Sequence, residues 1–410
     1  MITDQAVILC GGRGERLRPL TDKLPKPLAP AAGRPFLWHL ISQLKRNGYR
    51  EVVLLTGYLG DMIEAELGDG GALGVRIVYQ RGPEEWQTAF RLQNARPLLK
   101  EHFLLLYGDN YANFQRPKLE AVFSEFARTG RLGCLSVELR PERTNVAMLP
   151  DGSIGAYDPS RRAAGLNGVE IGYALFSSAI FSRFTGENES FSRVLARLAA
   201  ENRLCGLVQE HPYYSVSDLH RLSVASEFLM EKKILLIDRD GTINRKRPRG
   251  EYVRDWGEFE FIPENVEGMR RLAGAGWRFV VISNQAGVGR GILSAEAVWE
   301  LDRRMVEALS SHGVEVLKSY YCFHHWEEEC GCRKPKPGML IQASRDLKLN
   351  LETTWYIGDD PRDCTAAWRA GCPSVLVGGE DADVLAELER PQIQCADISE
   401  LASILVSPRP

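Results

Sequence analysis

Asp238 and Asp240 flank Arg239 in the run Asp238-Arg239-Asp240-Gly241-Thr242, directly after the apolar segment ILLI. A phosphate monoester is an anion that water attacks very slowly. A carboxylate nucleophile opens a faster route by forming an aspartyl-phosphate. A second acid two residues on can protonate the leaving oxygen, because residues i and i+2 of an extended turn face the same side. Acidic loops after strands also serve simply to cap helices, so this run alone leaves both readings open. Three further segments narrow the choice. Ser283 and Asn284 offer small polar groups to a phosphate. Lys334 can neutralise phosphoryl oxygens. Asp359, Asp360 and Asp363 provide carboxylates for Mg²⁺, a hard cation that prefers oxygen.

Cys322, His324, Cys330 and Cys332 give the spacing C-x-H-x5-C-x-C, four soft and borderline ligands of the kind Zn²⁺ takes in a tetrahedron. With all four positions filled, the site is expected to be closed and structural. His325 is the alternative to His324, and buried free thiols are the plain alternative to a metal. Clustered cysteines in a reducing compartment read as ligands before disulfides.

Near the start, Gly11, Gly12 and Gly14 precede Arg16, in the spacing G-G-x-G-x-R. Glycines let backbone N–H groups approach a phosphate, and arginine adds charge-assisted bonds. The dinucleotide pattern G-x-G-x-x-G is absent here, which disfavours a nicotinamide cofactor. A glycine-rich turn by itself is weak, but Pro25-Lys26-Pro27-Leu28 follows and presents Lys26 from a rigid loop. That combination suits a triphosphate together with a second phosphate.

These residues need strand ends to hold them. Short apolar runs at 6–10, 51–55, 75–79 and 103–107 read as buried strands. Between the first two, Phe36, Leu40 and Leu44, flanked by Leu37 and Ile41, form one face of a helix with Gly48 at its C-terminal end. Strands are expected again at 234–238, 278–283, 355–359 and 374–377. Helices are expected at 267–276, 295–313 and 338–350, with a last one in ADISELASIL and a frayed SPRP end. Strand–helix alternation implies α/β domains whose sheets are largely parallel. Open sheets of this kind place ligands at the carboxyl ends of their strands. A chain of 410 residues exceeds a single core, and the break is expected at 230, giving domains 1–230 and 231–410.

The formal charge of −3 argues against a nucleic-acid partner, and no apolar run approaches the ~20 residues that span a bilayer. The N-terminus lacks the pattern of a secretory signal, so a cytoplasmic protein is expected. Homo-oligomerisation is compatible with the sequence and not specified by it.

DRDGTIN (238–244), SNQAGVGRG (283–291), CRKPKPGML (332–340) and GDDPRD (358–363) make residues 232–405 resemble the haloacid dehalogenase superfamily. The branch is the one containing D,D-heptose 1,7-bisphosphate and histidinol-phosphate phosphatases. The resemblance implies that Asp238 is nucleophile and Mg²⁺ ligand, and that Asp240 is acid/base with its carbonyl on the metal. It puts Ser283, Asn284 and Lys334 on phosphate, Asp359 on Mg²⁺, Arg333 towards the sugar, and Zn²⁺ in the cysteine loop. GGRGERLRPLTDKLPKPL (11–28) resembles the sugar-1-phosphate nucleotidyltransferases, and the likeness extends over about 220 residues. This implies a mixed sheet, a nucleotide on Gly11, Gly12 and Gly14, phosphates on Arg16 and Lys26, and Mg²⁺ on Asp109. Gln80 and Thr88 would contact base or sugar. Two departures stand out. Ser215 occupies the place of a second metal-binding aspartate, with Asp218 nearby as a substitute, and the family's E-K-P segment is replaced by YDPSRR (157–162) with Glu170 and Gly172 further on.

Together the resemblances imply two doubly wound Rossmann-like domains of α/β class. The expected function is removal of the 7-phosphate of a heptose bisphosphate followed by nucleotidyl transfer to its 1-phosphate. GTP is the expected donor, with ATP and CTP open. Two other functions stay open: a phosphatase whose first half only binds nucleotide or scaffolds, and a histidinol-phosphate phosphatase with an unrelated fused activity.

Overall fold

The computed structural model describes residues 1–248, 250–378 and 382–406. The SPRP end therefore lies outside the described residues. The chain divides into two compact units, Met1–Met230 and Glu231–Pro410.

The first unit is built on a nine-stranded sheet. Gln5–Leu9 pairs in parallel with Glu51–Thr56 on one side and His102–Tyr107 on the other, and Arg76–Arg81 extends the parallel part. The apolar runs are continuous because both faces are covered. Ala6, Ile8, Val52, Leu54, Leu104 and Leu106 face one buried cluster, while Val7, Val53, Leu55, Phe103 and Leu105 face another. Helix Phe36–Arg46 lies on the first face, and Phe36, Leu37, Leu40, Ile41 and Leu44 are all buried as their spacing requires. Gly48, just past the helix, takes a φ of 79°, which a side chain would resist. Helix Phe191–Ala200 covers the second face.

The sheet is mixed, as the resemblance implied, and the largely parallel arrangement read from the first four strands describes that part of it. Strand Gly168–Ser177 runs antiparallel to both His102–Tyr107 and Gly133–Leu139, and Val146–Met148 and Ile154–Tyr157 add an antiparallel edge. A two-stranded ribbon joins Asn110–Ala112 to Tyr213–Ser215.

The second unit has one six-stranded, all-parallel sheet. Ile234–Ile237 lies at its centre, between Arg278–Asn284 and Trp355–Gly358. Leu235, Ile237, Phe279 and Val281 face one cluster, and Ile234, Leu236, Val280 and Ile282 the other. Helices Pro263–Gly274, Ala295–Ser311, Gly338–Leu347 and Pro361–Arg369 connect the strands. The last helix, Ile398–Val406, packs on Pro263–Gly274, where Arg271 Nη1 donates to the Ser399 carbonyl at 2.9 Å. No helix among the described residues is long and apolar enough to cross a membrane.

Candidate active sites

Asp238 follows the central strand of the second unit, and its N–H donates to Ile357 O of the neighbouring strand at 2.8 Å. The ends of three adjacent strands thereby converge. Lys334 Nζ lies 2.8 Å from Asp238 Oδ1 and 2.7 Å from Asp363 Oδ1. Tyr356 OH and Ile282 O also accept from that ammonium, at 2.8 and 3.0 Å. Asn284 clamps the lysine backbone in both directions, donating to its carbonyl and accepting from its N–H. The nucleophile candidate and its counter-ion are both buried. Burial pushes the Asp238 carboxyl up to about 6, against the pull of Lys334. Burial also opposes charge on Lys334, yet Asp238 and Asp363 hold its pKa above the usual lysine value.

Asp240 sits at the mouth. Its carboxylate accepts from Gln285 Nε2 at 2.6 Å, Asn244 Nδ2 at 3.0 Å and Arg239 Nη2 at 2.9 Å. Gln285, Tyr356 and Arg239 were not visible as site residues in the sequence. Gln285 is the first residue past strand Arg278–Asn284, the single local hint of its position. Ser283, buried at the same strand end, accepts from Gln285 Nε2 at 3.2 Å.

Asp238, Asp359 and Asp363 bring one carboxylate oxygen each within 4.8 Å of one another, a donor set suited to a hard divalent cation. Asp240 is not in this carboxylate group, and its own carboxylate is taken by Arg239, Asn244 and Gln285. Asp359 Oδ2 meets Lys246 Nζ at 2.7 Å, and Asp359 Oδ1 accepts from Thr242 Oγ1 at 3.1 Å. Burial, then the charge of Asp238, raises the pKa of Asp359. Gly241 has a φ of 95°, and a Cβ there would overlap the Asp359 carboxylate. Arg333, the expected sugar contact, leaves Nη1 buried without a hydrogen-bond partner.

Cys322, His324, Cys330 and Cys332 converge beside this unit's sheet edge. Their sulfurs lie 3.4 to 3.7 Å apart, and His324 Nδ1 lies 3.2 Å from Cys332 and 3.7 Å from Cys322. Tetrahedral bonds of ~2.3 Å to sulfur imply sulfur–sulfur edges of about 3.8 Å, so the set fits a Zn²⁺-sized ion. His325 does not join it: its Nδ1 accepts from Glu327 N and caps the turn Trp326–Glu328.

In the first unit, Gly11–Gly14 leave the end of strand Gln5–Leu9. Gly14 has a φ of 66°, and its carbonyl is tied to Thr21 Oγ1 at 3.0 Å. Gly11, Gly12, Gly14, Arg16, Lys26, Thr88 and Asp109 all line one open cleft of about 1510 Å³. Lys26 Nζ and Asp109 Oδ2 are 2.5 Å apart. Arg16 is exposed, while the Thr88 hydroxyl accepts from Phe191 N at 2.7 Å. Gln80 is not among the cleft-lining residues: it sits on strand Arg76–Arg81 and donates to the Arg81 carbonyl.

Ser215 is registered against Asn110, next to Asp109, and Arg221 Nη1 donates to its hydroxyl at 3.0 Å. A hydroxyl thus stands where an acid was expected, and a cation is hydrogen-bonded to it. Asp218 caps helix Leu219–Leu229 through Arg221 N and is absent from the cleft lining. From the YDPSRR stretch, Tyr157, Pro159 and Arg161 line the cleft, as does Glu170 further on, and so do Arg140 and Arg143, which no local motif announces. Burial raises the Glu170 carboxyl to about 7, although Gly172 N donates to it at 2.6 Å and Tyr107 also hydrogen-bonds it.

A nucleotidyl transferase family model matches residues 5–145, and a HAD-hydrolase-like model matches residues 331–401. The D-glycero-beta-D-manno-heptose-1,7-bisphosphate 7-phosphatase of Pasteurella multocida is 37% identical over 141 residues, covering 33% of this chain and 75% of that protein. Among solved structures, the D,D-heptose 1,7-bisphosphate phosphatase of B. bronchiseptica, complexed with magnesium and phosphate, is 31% identical. It covers 43% of this chain and 98% of its own, with a TM-score of 0.40. HddC from Yersinia pseudotuberculosis is 19% identical, covering 54% of this chain and 98% of its own, with a TM-score of 0.46.

Proposed function

Because the chain belongs through its second unit to the heptose-1,7-bisphosphate 7-phosphatase family of HAD-like hydrolases, and carries a nucleotidyl transferase domain in its first, we propose that it runs two consecutive steps towards a nucleotide-activated heptose. The first step hydrolyses the 7-phosphate of D-glycero-D-manno-heptose 1,7-bisphosphate. The second moves a nucleotidyl group, GMP from GTP as the expected case, onto the remaining 1-phosphate and releases pyrophosphate. The observation that carries the first step is the buried Asp238, held 2.8 Å from Lys334 at the carboxyl end of a central parallel strand.

In this reading an Asp238 oxygen attacks phosphorus, and the bond from phosphorus to the sugar oxygen breaks. Asp240 gives its proton to that oxygen, then takes one from the water that cleaves the aspartyl-phosphate. Gln285 and Asn244 hold Asp240 in place for both transfers. Lys334 and Ser283 meet the phosphoryl oxygens, Asn284 fixes Lys334, and Arg333 reaches for the sugar. When bound, Mg²⁺ on Asp238, Asp359 and the Asp240 carbonyl supplies further charge neutralisation, and Zn²⁺ on Cys322, His324, Cys330 and Cys332 contributes folding energy to the loop that delivers Lys334.

In the first unit, the N–H groups of Gly11, Gly12 and Gly14 cradle the nucleotide, and Arg16 and Lys26 hold phosphates. Asp109 is the carboxylate for Mg²⁺ there, and Thr88 lies on the nucleotide side. Transfer of this kind needs positioning and charge neutralisation more than covalent help. The Ser215–Arg221 pair beside Asp109 favours a second reading, in which this unit binds nucleotide without transferring it.

One incubation separates the two. The heptose bisphosphate is given with Mg²⁺ and each of four NTPs, and products are followed by mass spectrometry. A nucleotide-heptose peak supports both steps and names the donor. Inorganic phosphate without nucleotide-heptose leaves the second reading standing. Faster turnover of histidinol phosphate than of the heptose ester would sink the substrate assignment.

A further inference from the structure

Arg91, on helix Thr88–Asn94, is 4% exposed, and its guanidinium lies directly behind the glycine loop. All five of its N–H donors go to main-chain carbonyls. Nε donates to Trp86 O at 3.0 Å. Nη1 donates to Thr56 O at 2.7 Å and Gly82 O at 3.3 Å. Nη2 donates to Pro83 O at 2.6 Å and Glu84 O at 3.1 Å. Three glycines from three strand ends make room for it. A Cβ would lie 2.7 Å from Arg91 Cζ at Gly11, 2.6 Å from Nη2 at Gly57 and 3.2 Å from Nη1 at Gly82. Only arginine offers five donors in a fixed fork, so this nest is specific to it.

Dipoles, not a counter-ion, satisfy this charge: among the described residues Arg91 forms no ion pair. Five carbonyl dipoles solvate the guanidinium but leave its net charge in place, with the Glu85 carboxylate near enough to be felt, so a further anion arriving close by gains from it. The anion's place is the far side of the glycine loop, in the cleft that Arg91 also lines. The same fork ties segment 82–86 to strand Glu51–Thr56, so Glu84, Glu85 and Trp86 on the cleft wall are held by the group that carries the charge.

We propose that Arg91 is a positioning residue for nucleotide polyphosphate: the guanidinium enclosed by Gly11, Gly57 and Gly82 sets the glycine loop and supplies the buried positive charge that a nucleoside triphosphate's phosphates compensate. This rests on the nucleotide-binding reading of the first unit. The contribution is electrostatic, so it grows with the number of phosphates.

The test is calorimetric titration of the full chain with guanosine, GMP, GDP and GTP, or the same series on whichever of the four bases the wild type prefers. Arg91→Gln removes the charge and Arg91→Lys keeps it, with phosphatase turnover and thermal melting as controls for folding. The triphosphate is expected to lose roughly tenfold more affinity than the nucleoside in Arg91→Gln. In Arg91→Lys the wild-type ratio of triphosphate to nucleoside affinity is expected to persist, at lower affinity overall. Equal losses across the series in Arg91→Gln make the residue merely structural and overturn the proposal. Arg91→Met serves where Arg91→Gln does not fold, and failure of both to fold also overturns it. Wild-type protein that binds none of the four NTPs defeats the nucleotide reading itself, and this inference with it.

Discussion

Replacing one Asp238 oxygen by nitrogen is the narrowest change that separates a nucleophile from a bystander. Asp238→Asn keeps the shape of the site and a partner for Lys334 but no longer offers an anionic oxygen to phosphorus. Phosphate release is expected to fall by about four orders of magnitude, while nucleotide binding in calorimetry stays at the wild-type level. Loss of both together would sink the view that the two sites work independently. Gln285→Ala removes the 2.6 Å bond to Asp240, and about a tenfold fall in kcat with little change in KM is expected from a loosened acid. Glu170 gives a pH signature in the other unit. Its folded pKa, raised mainly by burial to about 7, lies above the ordinary 4.5, so its contribution to stability is full below 4.5 and is lost as pH rises through 7. Urea melts of wild type and Glu170→Gln should therefore diverge by up to about 3 kcal/mol between pH 5 and pH 8, with the glutamine variant gaining at the higher pH. A difference that stays flat with pH would show that the carboxyl is not held protonated.

At the scale of elements, the cysteine loop carries the plainest expectation. Zn²⁺ should be found at about one per chain by metal analysis. Cys330→Ser, or removal of the metal by a chelator, should lower the melting temperature of the second unit by roughly 10 °C. Wild-type protein without zinc would end the assignment. Helix Pro263–Gly274 supplies another test: a Cβ on Gly268 would overlap the backbone at Ile398 and Ser399, so Gly268→Ala should cost about 1–3 kcal/mol in denaturant melts by prising off the last helix. Elements covered on both faces were the most legible in the sequence. Gln5–Leu9, Glu51–Thr56, Ile234–Ile237 and Ser374–Val377 are short apolar runs whose ends fall within a residue or so of the expected limits. The resemblance implied a mixed sheet, but its antiparallel strands were not legible one by one. In Gly168–Ser177 two glycines and Glu170 interrupt the apolar run, and the pairing shifts register between Glu170 and Ala174. Motif residues announced themselves because spacing carries their chemistry. Arg91, Arg221 and Gln285 did not, since only the folded chain brings each to its partners.

At the scale of the whole molecule, each unit has its own buried clusters on the two faces of its sheet, and each candidate site draws its residues from one unit. Two singly disabled chains should therefore complement each other. An equimolar mixture of Asp238→Asn and Asp109→Asn is expected to make nucleotide-heptose from the bisphosphate through free 1-phosphate, with pyrophosphate release as the readout. A mixture as inert as either variant alone would mean that the intermediate never leaves the chain on which it forms. The cysteine loop adds an asymmetry between the halves. Three sulfurs held 3.4 to 3.7 Å apart need little movement for a two-electron oxidant such as peroxide to join a pair, and a metal held there would then be released. Peroxide acting on this loop is expected to fall on the dephosphorylating half, which carries it, so the sugar bisphosphate is what would accumulate.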